Sequence, residues 1–483
     1  MNIYILQVLG RFDYRKVKFR IGDEEYETTL TSIALQKYLS NSSESGSKII
    51  LLAPTSLITM KEFDNNRSEL LKLYVDDYSK FKERFSIEVE NLIQSQLVDS
   101  DANDINIYVF ESMGKYRDRD TNIVLEYHID PNTIKTGFIN LLMSLDNPSQ
   151  FYVDISTGLN QYINLMMDAY RGYIVQRKLS RLESYHLKTY YTLTKPVKEE
   201  GEECKIYIQE YDVKAFLEWP FKNSRYSISN LLNEDPNSKK KFCKEQQELN
   251  GLIYRFISYT KLCFNSVKYN IPILLFERPF IDGEGWIEYD WLSNKVDILK
   301  EELINITNGL LKPVVKKSGD TYTVKSRSLN YNYLLNLYIT ISLYNGLRTT
   351  LGLPLRNPSF KINRYVEGPF KSVIEGYKKL NLPLNNRFLD RDLREIWIYY
   401  DKLGSDWTTL SELMNKGNNN GYDDRKKPSI YKSDEVRNFF AHSGFLRDIT
   451  MARKKNGCIE IRYDVKEKTL ERIGNWIKNP ENY

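Results

Sequence analysis

Arg437 and His442 stand five residues apart in Lys432-Ser-Asp-Glu-Val-Arg-Asn-Phe-Phe-Ala-His-Ser-Gly444, a segment whose pattern predicts a helix over 433–446. The pairing is conspicuous because the chain has 3 histidines among 483 residues. Imidazole changes charge near neutral pH, so it can carry a proton to or from a ribose 2′-hydroxyl or a leaving 5′-oxygen. Guanidinium stays charged and can pair bidentately with a phosphate as negative charge builds on it. Together the two groups would cleave an RNA phosphodiester without a metal ion. The spacing sets a condition, because positions five apart on an ideal helix differ by about 140°. The two side chains therefore do not share one stripe, and the reach of the arginine or a helix irregularity has to close the gap. The same residues also fit a plainer role: a histidine at a helix C-terminal end beside a surface arginine.

A second candidate is Asp154-Ile-Ser-Thr-Gly-Leu-Asn160, where a strand turns into a helix. Gly158 permits close backbone approach, and the amides that open the helix can hold a phosphate. Ser156, Thr157 and Asn160 add donors suited to phosphate or adenine edges. A capped helix start with no ligand fits these residues equally well. His128 is placed at a loop-to-helix junction and His186 in a strand, and neither has a sequence partner that suggests a triad or a metal. Cys204, Cys243, Cys263 and Cys458 are dispersed, with no Cys-x-x-Cys pair, which argues against a zinc site and fits a reducing cytoplasm.

The elements that must position these residues follow from periodicity. In the first half, short apolar runs at Ile3–Leu9, Lys48–Ala53, Ile105–Phe110 and Phe151–Ile155 alternate with helical stretches from Ser32 to Leu39, Asn66 to Gln96, Asn132 to Leu145 and Leu159 to Val175. This alternation predicts a parallel, doubly wound sheet covered on both faces. Ligands of such sheets sit beyond the carboxyl ends of the strands, which adds Gly10, Arg11 and Ser56 as strand-end candidates. Ser184–Leu193 and Lys205–Tyr211 are expected as an antiparallel extension, and Trp219-Pro220 marks a boundary. Beyond it helical periodicity dominates, at 240–265, 290–310, 329–351, 366–380, 389–403, 433–446 and 466–478, interrupted by a hairpin at Val314–Lys325. The fold class is thus α/β plus α: a Rossmann-like domain over 1–220 and a mostly helical one with a β-hairpin insertion over 221–483.

Composition excludes some classes and leaves others open. With 41% hydrophobic and 28% charged residues the chain is an ordinary globular one, too long for a single core. The net charge is +5, but residues 425–478 hold 14 Lys and Arg against 7 Asp and Glu, a local patch able to attract a polyanion or simply a solvated face. The 36 tyrosines serve either a core or base stacking. Met1 leads straight into an apolar strand with no basic stretch before it, so no signal peptide is expected, and no apolar run suffices to span a membrane. A cytoplasmic location is expected. Neither a Gly-x-Gly-x-x-Gly nor a phosphate-loop motif is present.

Arg437-Asn-Phe-Phe-Ala-His442 matches the Arg-x4-His motif of HEPN ribonucleases, including the polar residue after the arginine, and Asp154–Asn160 resembles the signature turn of CARF domains. With the domain order, the chain resembles the CARF–HEPN ribonucleases that accompany type III CRISPR systems. The resemblance implies a sensor half that binds cyclic oligoadenylate across a two-fold axis and a nuclease half that then cleaves single-stranded RNA with little specificity. It implies a homodimer or a higher oligomer of dimers, no cofactor beyond the activator (cyclic tetra-adenylate being the expected ring) and no metal. Arg437 would bind the scissile phosphate, His442 would transfer a proton or position substrate, and Asn438 would support the site. The product would carry a 2′,3′-cyclic phosphate and leave a 5′-hydroxyl. Ser156, Thr157, Gly158 and Asn160 fall on the ligand turn, with Asp154, Gly10, Arg11 and Ser56 beside it. A sensor with a silent helical half, and a sensor that degrades its own activator, are the alternatives. Lys, Ile and Tyr usage suggests a thermophilic archaeal source.

Overall fold

The computed structural model describes residues 2–10, 16–42, 46–96, 104–118, 120–156, 160–182, 187–195, 203–221, 226–282, 285–415, 432–464 and 467–480. The first strand, β1 (Ile3–Val8), is buried at every position, as a strand covered on both faces must be. A hairpin follows, β2 (Val17–Ile21) and β3 (Glu24–Thr28), whose first strand alternates buried and exposed residues. Helix α1 (Thr31–Ser42) leads to β4 (Ser47–Pro54). The charged stretch after it is two helices, α2 (Arg67–Asp76) and α3 (Tyr78–Gln96). Asp77 breaks the run: its backbone is extended and its carboxylate accepts from the amides of Ser79 and Lys80. After β5 (Ile105–Phe110) come two further strands, β6 (Gly114–Arg117) and β7 (Val124–His128), so His128 ends a strand rather than opening a helix. Helix α4 (Pro131–Ser144) is capped by Asp130. The half closes with β8 (Gln150–Asp154), α5 (Asn160–Ser180), β9 (Lys188–Leu193), β10 (Glu203–Lys205) and β11 (Tyr207–Glu210). His186 lies outside the described residues.

The main sheet has the order β11-β9-β8-β1-β4-β5, parallel throughout except for β11, which runs antiparallel to β9. The order reverses between β1 and β8, which is where doubly wound sheets open a ligand crevice. The register pairs Gln7 with Asp154, so the two strands end level there. Instead of one strand, Lys205–Tyr211 contributes two, since β10 leaves the main sheet to pair with β2.

The second half contains α6 (Pro236–Glu245), α7 (Gln247–Lys268), α8 (Tyr289–Leu310), β12 (Val314–Ser318), β13 (Thr321–Lys325), α9 (Tyr331–Leu351), β14 (Ser359–Ile362), β15 (Val366–Glu367), α10 (Pro369–Lys379) and α11 (Pro383–Trp397). It continues with β16 (Thr408–Thr409), α12 (Leu410–Asn415), α13 (Lys432–Ala441), β17 (Thr450–Lys455), β18 (Cys458–Tyr463) and α14 (Glu467–Lys478). The half is mostly helical, yet it also holds a five-stranded sheet, β15-β14-β18-β17-β16, that helical periodicity does not reveal. Asn456 and Gly457, at φ 50° and 75°, turn the β17–β18 hairpin. Part of the basic excess of this segment is consumed here, because Arg453 and Lys455 both pair with Glu460 across the hairpin.

The two halves share secondary structure. The Val314–Lys325 hairpin forms, but β13 adds in parallel to β7, giving a sheet β12-β13-β7-β6 built from both halves. Helix α9, buried on nearly every side, lies along α5. The approach is close: a Cβ added at Gly346 would stand 2.0 Å from the carbonyl oxygen of Leu179. Buried polar bonds complete the seam, with Tyr338 donating to Asn140 Oδ1 at 2.9 Å and Asn140 Nδ2 donating to Thr307 at 2.7 Å.

Candidate active site and ligand turn

Helix α13 is anchored by Val436 and Phe439, both buried, and Phe439 packs its ring on Trp476 of α14. That choice of inner face leaves Arg437, Asn438 and His442 on the exposed one. Asn438 and His442 are four apart and share a stripe, and the His442 amide donates to the Asn438 carbonyl at 3.0 Å. The helix then ends. Ser443 has φ +52° and the Gly444 amide reaches back to the carbonyl of Phe439 at 2.8 Å, a Schellman closure that puts His442 at the C-cap. Gly444 is required here, since φ is +78° and a Cβ would fall 2.8 Å from both Ile271 and the Tyr463 hydroxyl. The helix irregularity falls after His442, which itself keeps the helical bond to Asn438, so the helix end does not change the angle between Arg437 and His442.

His442 does not stand alone. Its Nδ1 faces Oδ1 of Asp392 on α11 at 3.8 Å, with Asp392 4% exposed and His442 about half exposed. Asp392 is held by three further bonds from two residues: the Ser443 hydroxyl donates to it at 2.7 Å and Arg391 donates through Nε and Nη2 at 3.1 and 2.8 Å. Asn270 in turn donates to the Ser443 hydroxyl at 2.9 Å. The bond to Asp392 pushes the pKa of Arg391 further above its ordinary value, fixing a cation beside the helix end. A buried carboxylate that orients an imidazole is a recurrent way to hold a proton-transfer group in place. Asp392 was accessible to sequence reasoning in one respect: it falls on the buried face of α11 with Leu389, Leu393 and Ile396, where a lone acid is out of place.

At the switch point of the main sheet, Asp154 is fully buried and its bonds turn inward. It accepts from Thr31, from Thr192 at 3.3 Å, and from both the hydroxyl and the amide of Ser156 at 2.6 and 3.1 Å. Burial raises its pKa against the opposing pull of these bonds. The Ser156 hydroxyl also accepts from the Thr194 amide at 2.8 Å, tying the end of β9 to the turn. Asp154 and Ser156 thus shape the turn, and Thr31, the first residue of α1, serves Asp154. Asn160 opens α5 and Gly10 follows β1, which puts both at the crevice. Arg11, Thr157 and Gly158 lie outside the described residues. Ser56 is buried one strand further along, its amide donating to the Ser112 hydroxyl at 2.8 Å. Beside it, burial raises the Glu111 carboxyl, which accepts from Tyr74 and Thr55. The two candidate regions lie in different halves.

A doubly wound sheet shares secondary structure with a mostly helical half that exposes Arg437 and His442. Residues 4–196 match the family model for CRISPR system endoribonuclease Csx1, CARF domain, and residues 382–467 match that for CRISPR system endoribonuclease Csx1, HEPN domain. The chain belongs to this CARF–HEPN family of CRISPR-associated endoribonucleases. No curated protein matches it. The first match spans the crevice, and the second spans both Asp392 and the Arg437–His442 helix. Among the described residues no helix is long and apolar enough to cross a membrane.

Proposed function

We propose that the chain is a ligand-activated endoribonuclease: cyclic oligoadenylate, with cyclic tetra-adenylate the first ring to test, binds at the switch-point crevice and turns on cleavage of single-stranded RNA in type III CRISPR defence. The division into a sensor over 1–220 and a nuclease half over 221–483 is part of the proposal. Ser156, Thr157, Gly158, Asn160, Gly10 and Arg11 would meet the ring, while Asp154 and Ser56 would support the rim from below. The 2′-hydroxyl attacks the adjacent phosphorus, and the P–O5′ bond breaks. The product strands end in a 2′,3′-cyclic phosphate and a 5′-hydroxyl. Arg437 neutralises the charge that builds on the phosphate, His442 moves the proton, and Asn438, on the same stripe as His442, positions substrate. No step calls for a metal ion.

The observation that carries this reading is the placement of His442 at a helix end, exposed on one side and facing the buried Asp392 on the other. Pairing of two such sites in a homodimer is supported by the surface beside them. Leu384 and Phe388 on α11, and Ile398 at its end, are 63%, 38% and 76% exposed, apolar side chains on the element that carries Asp392 that a second copy would cover. Activation has a physical route in α5, which starts at the ligand turn and packs along α9, and in the shared β7–β13 sheet. The test is RNA cleavage by the purified protein with its activating cyclic oligoadenylate, in EDTA, with analysis of the product ends. Cyclic phosphate ends that vanish in His442→Ala and Arg437→Ala are expected; full loss of wild-type activity in EDTA would refute the metal-free chemistry.

A further inference from the structure

Between α7, α14 and the segment around Trp219 and Trp286 runs an open cleft of about 1340 Å³. It lies outside both matched regions, with walls in 219–286 and 471–479. One wall is a single stripe of α7: Tyr254, Ser258, Lys261, Asn265 and Lys268 all line it. Their spacing of four, three, four and three keeps them on one helix face, over about 21 Å of helix at 1.5 Å per residue. The facing wall is α14, whose Lys478 lines the cleft and whose Ile477 carbonyl accepts from Asn265 at 2.6 Å, locking the two helices together.

The chemistry of the lining is that of a single-strand binder. Tyrosine and tryptophan rings recur along it, and Tyr254 stands 59% exposed with its ring 6.4 Å from that of Tyr226. A large ring left that open costs apolar surface in water unless something stacks on it. Charge leans positive: Lys261, Lys268 and Lys478 line the cleft with Arg255, which is paired with Glu288, and among the described residues Glu471 is the one lining carboxylate. Lys268 stands at the end where Tyr269 packs on Phe440 of α13, 5.6 Å between rings. Arg472 on α14 also pairs with Glu435 of α13. The cleft thus runs up to the helix that carries Arg437 and His442.

We infer that this cleft is a binding groove for the single-stranded RNA substrate, in which a base stacks on the exposed Tyr254 and Lys268 and Lys478 meet the phosphates on the way to α13. Aromatic platforms along a cationic track hold single strands without reading sequence, whereas a duplex keeps its bases stacked inside and offers no faces to them. The inference rests on the ribonuclease reading above and adds where the strand lies before it is cut.

The test uses the full chain with His442→Ala, so that the probe is not consumed, and a fluorescein-labelled single-stranded RNA followed by anisotropy. Adding Tyr254→Ala should weaken binding by about 5-fold or more. Adding Lys268→Glu and Lys478→Glu should weaken it further and flatten the dependence of affinity on salt. Both positions are exposed, so an unchanged melting curve serves as the folding control. The same RNA as a duplex should bind more weakly and be indifferent to Tyr254→Ala. In the His442-intact chain the groove variants should show a raised KM for RNA. Binding unchanged by the groove substitutions, in a protein that still cleaves RNA, overturns the groove and leaves the nuclease reading standing. Displacement of the RNA from this site by cyclic tetra-adenylate would reassign the groove to the activator. A wild-type protein that neither binds nor cuts single-stranded RNA with any cyclic oligoadenylate present overturns both.

Discussion

Replacing Asp392 by asparagine separates a positioning role from a structural one. The carboxylate stands 3.8 Å from His442 Nδ1. At that distance two opposite charges interact by about 4 kcal/mol at an effective dielectric of about 20, and by about 1 kcal/mol in water. His442 is half exposed, so the lower part of the range applies, about 1–2 kcal/mol of support for an imidazolium. If that support is needed in the transition state, the variant should lose about 5- to 30-fold in cleavage rate. It also weakens the buried bond from Ser443, worth about 1–2 kcal/mol of stability, while the half-exposed Arg391 pair adds little. Ser443→Ala is the control, because it removes the same structural bond and leaves the carboxylate facing His442. Single-turnover RNA cleavage and thermal melting should therefore diverge: both variants melt lower, and only Asp392→Asn cleaves slowly at saturating RNA. Equal cleavage rates for the two variants would refute the assignment.

Further outcomes follow from the same structure. Asp154→Ala strands the buried hydroxyl of Thr31, at about 1–3 kcal/mol, and removes one bond of the half-buried Ser156; a urea midpoint equal to wild type would contradict this. Because burial raises the folded-state pKa of Asp154, the folded protein holds that proton to higher pH than the unfolded chain does. Its contribution to stability should therefore fall as pH rises from the ordinary Asp range through the raised value, and Asp154→Asn should flatten that part of the stability–pH curve. Gly346→Ala forces α5 and α9 apart where the added Cβ would meet Leu179, at a cost of about 1–3 kcal/mol. Activator binding by calorimetry should survive that change while activator-stimulated cleavage drops. Val324→Asp buries a charge in β13 beneath the shared sheet and should uncouple in the same way; full activation in that variant would exclude the hairpin from the coupling.

What the sequence revealed and what it hid have physical reasons. β1, β4 and β8 were legible because strands buried on both faces are continuous apolar runs. Arg437 and His442 were legible as a motif, but the Schellman end that follows them at Ser443-Gly444 depends on packing against Ile271 and Tyr463. The partner of His442 was not legible as a partner, since Asp392 lies 50 residues upstream and only the fold brings α11 to the helix end. The β6–β7 pair escaped notice because its strands are short and polar and its third neighbour, β13, comes from the other half. Two signals were present and unused: Asn456-Gly457 between alternating runs marks a hairpin, and Asp77 inside a long helical stretch marks a cap and a break.

The most direct test of the central claim is RNA cleavage by the purified chain, with and without a panel of cyclic oligoadenylates of different ring size, beside the His442→Ala protein. The proposed function predicts that one ring size switches wild-type cleavage on, that the chain without it is nearly silent, and that His442→Ala stays silent with every ring. Cleavage by His442→Ala at the wild-type rate, or wild-type cleavage indifferent to every ring, would contradict it.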